Sequence, residues 1–412
     1  MTDAQTPFEP APVGAREPLQ QVECGLPAAW FHDAAHYRRE LARFWSGKWI
    51  AVARSSELRE VGDYRVIDIG DQSIVVLRAR SGELRDASTG AVHGQLRAFH
   101  NTCRHRGSIL CTAAEGRLRG ARLVCPYHAW TYDLDGRLIH TPRRMPTPDF
   151  DADDYGLFGV DVDSWGGFVF VHLGSGPVQP LVEALGELPA RFARHRLDTL
   201  AIGKRIVVDI AANWKLICEN FCECFHCPPV HPELCRVVPA YREAGAWGLQ
   251  HESRDEGTGR PMRAGTEYLP GAVTLTLDGT ARIPPFRDLD ATQRATLYSP
   301  ALLPPNLFLN VHPDYVNAHM MFPTGPQTVR IVYDWLFEPE ALADPRFDLD
   351  HYVALWQITN GQDARNCEWQ QRGVHAAPFA HGHFMPQEFD CHRFAQWVRA
   401  ALDSAQVGQR VI

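Results

Sequence analysis

What this chain of 412 residues lacks most clearly is long apolar sequence. No run approaches the roughly 18 uninterrupted apolar residues that a membrane-spanning helix needs. It lacks a basic excess as well: 41 Lys and Arg stand against 49 Asp and Glu, a formal net charge of -8. No nucleic-acid-binding surface is suggested. The opening MTDAQTPFEPAPVGAREP is polar and Pro-rich, without the basic and apolar regions of a secretory signal. It is expected to be a flexible arm of a cytoplasmic protein. No G-x-G-x-x-G stands in a strand–helix context, so a nicotinamide cofactor is not expected on this chain. There is also no internal repeat.

What is abundant is cysteine and histidine, 11 and 19 respectively. An odd cysteine count in a long chain without a secretory signal argues for reduced thiols rather than a disulfide framework. Metal binding is the first explanation to test. The remaining composition, 45% hydrophobic and 22% charged, is that of an ordinary folded protein. The length suggests two to three domain-sized units.

The pattern divides the chain. Asp33 can cap a helix through AAHYRRELARFW, with Tyr37, Leu41 and Phe44 on one face. From Trp49 come short β-rich runs (WIAVAR, YRVIDI, SIVVLRAR, LRAFH, GFVFVHL) punctuated by Gly, Asp and Asn, which predict a small all-β unit ending near residue 160. Residues 81–95 look like an elongated hairpin loop. Beyond 160 the pattern predicts helix at 180–195, a strand at KRIVVDIAA and a helix through NWKLICENFCECFH. Strands at GAVTLTLDG, LFLNVH, YVNAHMMFP and TVRIVYDWLFEP follow, then helices at about 349–372 and 386–403. The expectation is an α+β protein: residues 1–45 as arm and helix packing with the last domain, 46–160 all-β, and 161–412 an antiparallel sheet gripped by long helices.

Two constellations carry chemistry. The first is Cys103, His105, Cys125 and His128: C-x-H, nineteen intervening residues, then C-x-x-H. Such a set can hold zinc, or a [2Fe–2S] cluster with two cysteines on one iron and two histidines on the other. Zinc modules more often pair like with like, whereas here each half brings one Cys and one His, so two loops can clamp a two-iron cluster. The second is His226 and His231, separated by the breakers Pro228 and Pro229. Oxygen-activating iron(II) wants two histidines and one carboxylate on one face. Asp363 is the chosen carboxylate, with Glu368 and Glu219 as rivals. Asn220 can approach an open metal position or simply pack as a helix amide. Cys218, Cys222, Cys224 and Cys227 scatter around a helix axis and read as buried structural thiols, as do Cys24, Cys235, Cys367 and Cys391.

The text FHNTCRHRGSILC and LVCPYHAWTYDLDGRL resembles Rieske proteins, specifically the N-terminal domain of Rieske non-haem iron oxygenase large subunits, with Cys111 a non-ligand cysteine. The likeness runs over about 30–405 and includes NWK…ENFCECFHCPPVHPEL, similar to that family's iron-site signature. The resemblance implies an N-terminal Rieske domain and a C-terminal helix-grip catalytic domain. It implies Cys103 and Cys125 on one iron, His105 and His128 on the other, and His226, His231 and Asp363 on a mononuclear Fe(II). It implies Glu223 as the bridge to His128 of a neighbouring subunit in a homotrimer. It further implies O2 as co-substrate and a separate flavin or iron–sulfur reductase that draws on NAD(P)H. Two residues depart from most ring-hydroxylating members: Glu223 where Asp is usual and Phe225 where Tyr is usual. ECFHC and VHPEL look like the branch acting on quaternary ammonium compounds, including choline, glycine betaine, carnitine and stachydrine. Tyr268, Phe286, Phe308, Phe322 and Tyr333 are aromatics available for a cation cage. The alternatives are an arene or aryl-ether substrate, a Rieske electron carrier without oxygenase activity, and a zinc-binding structural protein.

Overall fold

The alternating β-branched and aromatic runs after Trp49 pair into one antiparallel sheet because tight turns close them. Ile69 pairs with Gln72 across Gly70–Asp71, and Trp165 pairs with Phe168 across Gly166–Gly167. Gly70, Gly166 and Gly167 all have positive φ (61°, 56° and 75°), as two-residue hairpin loops require. A computed structural model of the protein describes residues 18–79, 96–176, 178–243, 252–254, 261–263 and 268–403. The expected arm before residue 18 and the expected hairpin loop at 81–95 lie outside the described residues.

The chain forms two compact units. One comprises residues 45–190 and 196–199. Its seven-stranded antiparallel sheet runs in the order Ile50–Arg54, Phe168–His172, Gly159–Trp165, Leu96–His100, Gln72–Arg78, Asp63–Ile69, Glu115–Arg117. A small sheet of Leu123–Val124, Thr131–Tyr132 and Leu138–His140 stands beside it. Between them Val75, Leu77, Phe99, Leu123, Tyr132 and Leu138 are buried with Cys103 and Cys125. The boundary expected at 160 is corrected: it falls inside strand Gly159–Trp165, whose partner Phe168–His172 closes the same sheet, and the unit runs on to Ala190.

The other unit takes residues 1–44, 191–195 and 200–412. Its five-stranded antiparallel sheet is ordered Ala201–Ile210, Thr328–Phe337, Val316–Gly325, Leu307–Val311, Ser299–Leu303. The 25-residue helix Leu349–Gly373 packs with helix Trp214–Phe221 and strand Ala201–Ile210. Its Asp348 cap accepts from His351 N. Glu23–Pro27 pairs with His381–Phe384, so the first and last described strands meet. Asp33 caps helix Ala34–Glu40 as expected, and the turn then widens to a π-helix over Leu41–Trp45.

Glu40 anchors that early helix. Its carboxylate accepts from Lys215 Nζ at 2.5 Å and from Trp214 Nε1 at 2.9 Å, and both Glu40 and Lys215 are wholly buried. A charge pair so placed must be complete, because either half alone would be a buried charge without a counterion.

Three other expectations differ. GAVTLTLDG forms turns, not a strand. The amides of Val273 and Thr274 donate to Gly279 O and that of Gly279 to Thr276 O, so the segment closes on itself instead of joining a ladder. Residues 180–195 hold short helices only, Leu181–Ala184 and Leu188–Phe192 with a 3-10 turn. The helix through NWKLICENFCECFH ends at Phe221, and two short helices, Cys227–Val230 and Pro232–Val237, follow.

Candidate active site

In the N-terminal unit two loops carry the four cluster candidates. The first is closed by bonds from Gly107 N to Cys103 O and from Cys103 N to Ser108 O, with Gly107 at φ 72°. In the second, Ala129 N donates to Cys125 O and Cys125 N to Trp130 O. Cys103 and Cys125 are buried (3% and 2% exposed), whereas His105 and His128 are exposed. The set is thus polarised, with thiols inside and imidazoles outside. The two rings stand edge to face at 4.7 Å, and His105 stacks on Trp130 at 4.8 Å.

The sulfurs are already solvated by donors. Tyr132 Oη lies 3.3 Å from Cys103 Sγ and also accepts from the Arg104 amide. Burial pushes Cys103 up, and the backbone amide of His105 offsets only part of this. Burial raises Cys125 too, but the amides of Tyr127 and His128 reverse it and leave that thiol below its ordinary range. Two buried sulfurs held as hydrogen-bond acceptors opposite two exposed imidazoles fit a [2Fe–2S] cluster with unlike ends.

In the other unit the early end of helix Trp214–Phe221 puts Glu223 and His226 in a turn. The helix expected to run through His226 is corrected accordingly: Glu223 accepts from the amides of Phe225 and His226, which cannot then join a helix. Glu223 Oε1 also accepts from His226 Nδ1 at 2.5 Å. His231 Nδ1 donates to Gln362 Oε1 at 2.8 Å, and Gln362 Nε2 donates to Glu233. Both Nδ1 atoms are therefore committed, and both Nε2 atoms face inward 3.1 Å apart.

Asp363, on helix Leu349–Gly373, completes the set. Its Oδ1 lies 2.9 Å from His231 Nε2 and 3.3 Å from His226 Nε2, yet it makes no directed hydrogen bond. Burial works against its charge, but the two imidazoles outweigh this and hold it at about 2. Likewise burial lowers His226 while Asp363 and Glu223 push it up to about 10. Two ring nitrogens and one carboxylate oxygen converging here fit a divalent cation with open positions, which would take the place of the His226 Nε2 proton. Asn220 Nδ2 sits 3.4 Å from His226 Nε2, at the edge of the same cluster.

The rival carboxylates point elsewhere. Glu368 accepts from the Ala211 amide. Glu219 lines a cavity of about 150 Å³ behind the helix, together with Asn220, Glu223 and Glu388. Burial pushes its carboxyl up to about 8. The nearby Cys227 thiol is raised well above its usual range by Cys224, 2.6 Å away, and by burial, and its sulfur lies within 4.8 Å of the ring nitrogens of His226 and His231.

Above the cluster lies one face of the sheet. Phe308, Asn310, Asn317, His319, Tyr333 and Trp335 share it by register. Phe308 packs on Phe221, and His319 on Tyr333 at 4.5 Å. Both His319 and Tyr333 feel the Asp363 charge, although burial dominates and keeps His319 neutral, at about 3. Of the other expected cage aromatics, Phe322 lies on the opposite face and Phe286 packs on His195. Tyr268 opens the described turn segment at 268.

Comparison with known proteins settles the family. Residues 197–404 match the ring hydroxylating alpha subunit (catalytic domain) and residues 48–151 the Rieske [2Fe-2S] domain. The chain belongs to the Rieske oxygenase alpha subunits. It is 31% identical over 399 residues to the glycine betaine monooxygenase oxygenase subunit of Chromohalobacter salexigens, covering 92% of this chain and 86% of that one. It is 29% identical to the carnitine monooxygenase oxygenase subunit of Escherichia coli (strain K12), covering 85% and 84%. The fold is that of the quaternary ammonium Rieske monooxygenase CntA, with a TM-score of 0.69 at 22% identity over 92% of this chain and 96% of that one. It is also that of naphthalene 1,2-dioxygenase from Rhodococcus sp., with a TM-score of 0.64 at 20% identity over 93% and 95%. This Rieske oxygenase is accordingly an oxidoreductase of the terminal oxygenase type, whose cofactors are a [2Fe–2S] cluster and a mononuclear iron that uses O2. The family works with a reductase on a small-molecule substrate, and among the described residues no helix is long and apolar enough to cross a membrane.

Sequence reasoning missed the supports of the site: Gln362 and Glu233 behind His231, and Tyr132 on the Cys103 sulfur. Gln362 had one available signal, its place beside Asp363 on the same helix. The reading of every remaining cysteine as buried is corrected as well: Cys24 is exposed, and Cys222 and Cys224 are only partly covered.

Proposed function

We propose that this chain is the oxygenase component of a cytoplasmic system that oxidatively removes an N-methyl group from a quaternary ammonium carboxylate, glycine betaine or a close analogue. The balance is R–N⁺–CH3 + O2 + 2 e⁻ + 2 H⁺ giving R–N⁺–CH2OH + H2O. The carbinol then loses formaldehyde to leave the tertiary amine and a proton. The electrons come from NAD(P)H through a separate flavin or iron–sulfur reductase.

The likeness to glycine betaine, carnitine and choline monooxygenases carries the substrate class. The inner sheet face supports it. Phe308 and Tyr333 offer ring faces to a cation. Asn317 Nδ2 and Trp335 Nε1, paired in register on that face, are buried donors without acceptors. A carboxylate is the group that would satisfy them, whereas an arene would leave both unpaired.

In this proposal Cys103, His105, Cys125 and His128 hold the cluster, and His226, His231 and Asp363 hold the iron. When bound, these two centres supply electron storage and O2 activation. The chain's own residues do the positioning. Glu223 and Gln362 fix the Nδ1–H tautomers of the two histidines, Asn220 borders the open side, and neutral His319 bonds Asn317 Oδ1 to brace the pocket wall. Glu223 also bridges to His128 of a neighbouring copy in a homotrimer. The exposure of His105 and His128 supports that arrangement.

The test is O2 uptake and formaldehyde release with a reductase across glycine betaine, carnitine, choline, stachydrine and simple arenes. Stoichiometric formaldehyde from a betaine supports the proposal; turnover of an arene alone refutes it. Mixing His128→Ala and Asp363→Ala chains should restore part of the activity if electrons cross between copies.

A further inference from the structure

A second group of metal-ligating side chains lies outside the oxygenase site, on the two-stranded sheet formed by the first and last described strands. Strand Glu23–Pro27 pairs with His381–Phe384 so that Cys24 stands opposite His383. His381, two residues earlier on its strand, projects to the same side. The Cys24 sulfur and one nitrogen from each ring all lie within 4.8 Å of one another. Donors on one tetrahedral zinc lie about 3.3–3.8 Å apart, so small side-chain rotations close the set.

Three features make this more than proximity. His381 Nδ1 donates to Gly382 O at 2.9 Å, which leaves Nε2 as that ring's lone pair, the tautomer a ligand needs. The two rings meet at 65° with centroids 4.9 Å apart, edge to face rather than stacked, so their nitrogens can converge on one point. The backbone beneath is fixed: Arg399 donates to the carbonyls of Cys24 and Gly25 at 3.1 and 2.7 Å, and Gly25 packs directly on Gly382. Cys24 and His383 are exposed and His381 half-buried, so an ion and its water have access.

We propose that Cys24, His381 and His383 form a site for a thiophilic divalent transition metal, with zinc the best fit and water as the fourth ligand. One thiolate and two imidazoles suit zinc and disfavour magnesium or calcium. Binding releases the Cys24 proton and ties the first strand of the fold to its last.

The test uses the holoenzyme, with cluster and mononuclear iron loaded. It is equilibrated with zinc sulfate, passed into metal-free buffer and assayed for zinc and iron by mass spectrometry. Wild type should keep one zinc per chain in addition to its iron. Cys24→Ser and His383→Gln should keep none above background, with iron content and thermal midpoint unchanged. Cobalt should add a thiolate charge-transfer band to the wild-type difference spectrum that Cys24→Ser lacks. Zinc held equally by the variants, zinc gained only as iron is lost, or no retained zinc and no cobalt band would each overturn the proposal.

Discussion

Glu40→Ala removes the carboxylate on which three buried groups depend. Lys215 Nζ then keeps only Trp30 O and Asn213 Oδ1, each at 2.8 Å, as partners for a wholly buried ammonium. Trp214 Nε1 loses its acceptor, and His36 its neighbour at 3.0 Å. Breaking one side of a buried pair costs about 3–5 kcal/mol, and the orphaned indole belongs to the same network, so its cost is not simply added. For a unit of this size that is a fall in thermal midpoint of roughly 6–20 °C. Lys215 sits in the helix that leads into the Glu223–His226 turn, so iron retention should fall with it. The Rieske absorption, whose proposed ligands lie in the other unit, should not change. Replacing both partners, Glu40→Met with Lys215→Met, should recover most of the loss because no charge is then stranded. Calorimetry of the iron-free chain, with iron counts on the loaded one, makes the comparison. An Ala variant within about 1 kcal/mol of wild type, or a double variant worse than the single, would refute the reasoning.

Four further outcomes follow from the geometry. Asp363→Ala should lose the mononuclear iron and turnover while the cluster spectrum stays intact; full activity would show that another carboxylate is the ligand. Glu223→Gln should keep both metals yet slow reduction of the iron in rapid-mixing single turnovers, because the amide cannot hold His226 as a carboxylate does. Gln362→Leu should weaken iron affinity about 10–100-fold by freeing the His231 ring, read by competition with a chelator. Glu219 has a folded-state pKa raised by burial, to about 8, so its burial costs nothing below about pH 4.5 and a few kcal/mol above pH 8. Glu219→Gln should therefore match wild type in urea stability near pH 5 and exceed it near pH 9.

The candidate metal sites were legible because the proposed ligands are crowded in sequence. C-x-H and C-x-x-H each fit on one loop, and the folded chain brings those loops together as the spacing implied. Asp363 was less legible, 132 residues beyond His231; a 2-His site demands a carboxylate, and the fold sets its Oδ1 2.9 Å from His231 Nε2. The supports were not legible: nothing in the text of Gln362 or Glu40 says which ring or ammonium it will meet. Two errors share a cause. Both GAVTLTLDG and the end of NWKLICENFCECFH were assigned from apolar periodicity. In the first the amides of Val273 and Thr274 turn back to Gly279 O; in the second Glu223 accepts the amides of Phe225 and His226 and stops the helix. The boundary at 160 failed for a different reason, since a hairpin late in the sequence completes a sheet begun at residue 50.

The central claim is that one chain stores electrons in a Rieske cluster and delivers them to iron for oxidative N-demethylation. Pre-reduced enzyme, free of reductase, mixed with O2 and glycine betaine tests this most directly. The account predicts about three irons per chain, reoxidation of the cluster, and up to one formaldehyde per mononuclear iron in a single turnover. Two irons per chain with an intact cluster spectrum, or reoxidation of fully loaded enzyme with no product from any quaternary ammonium carboxylate, would contradict it.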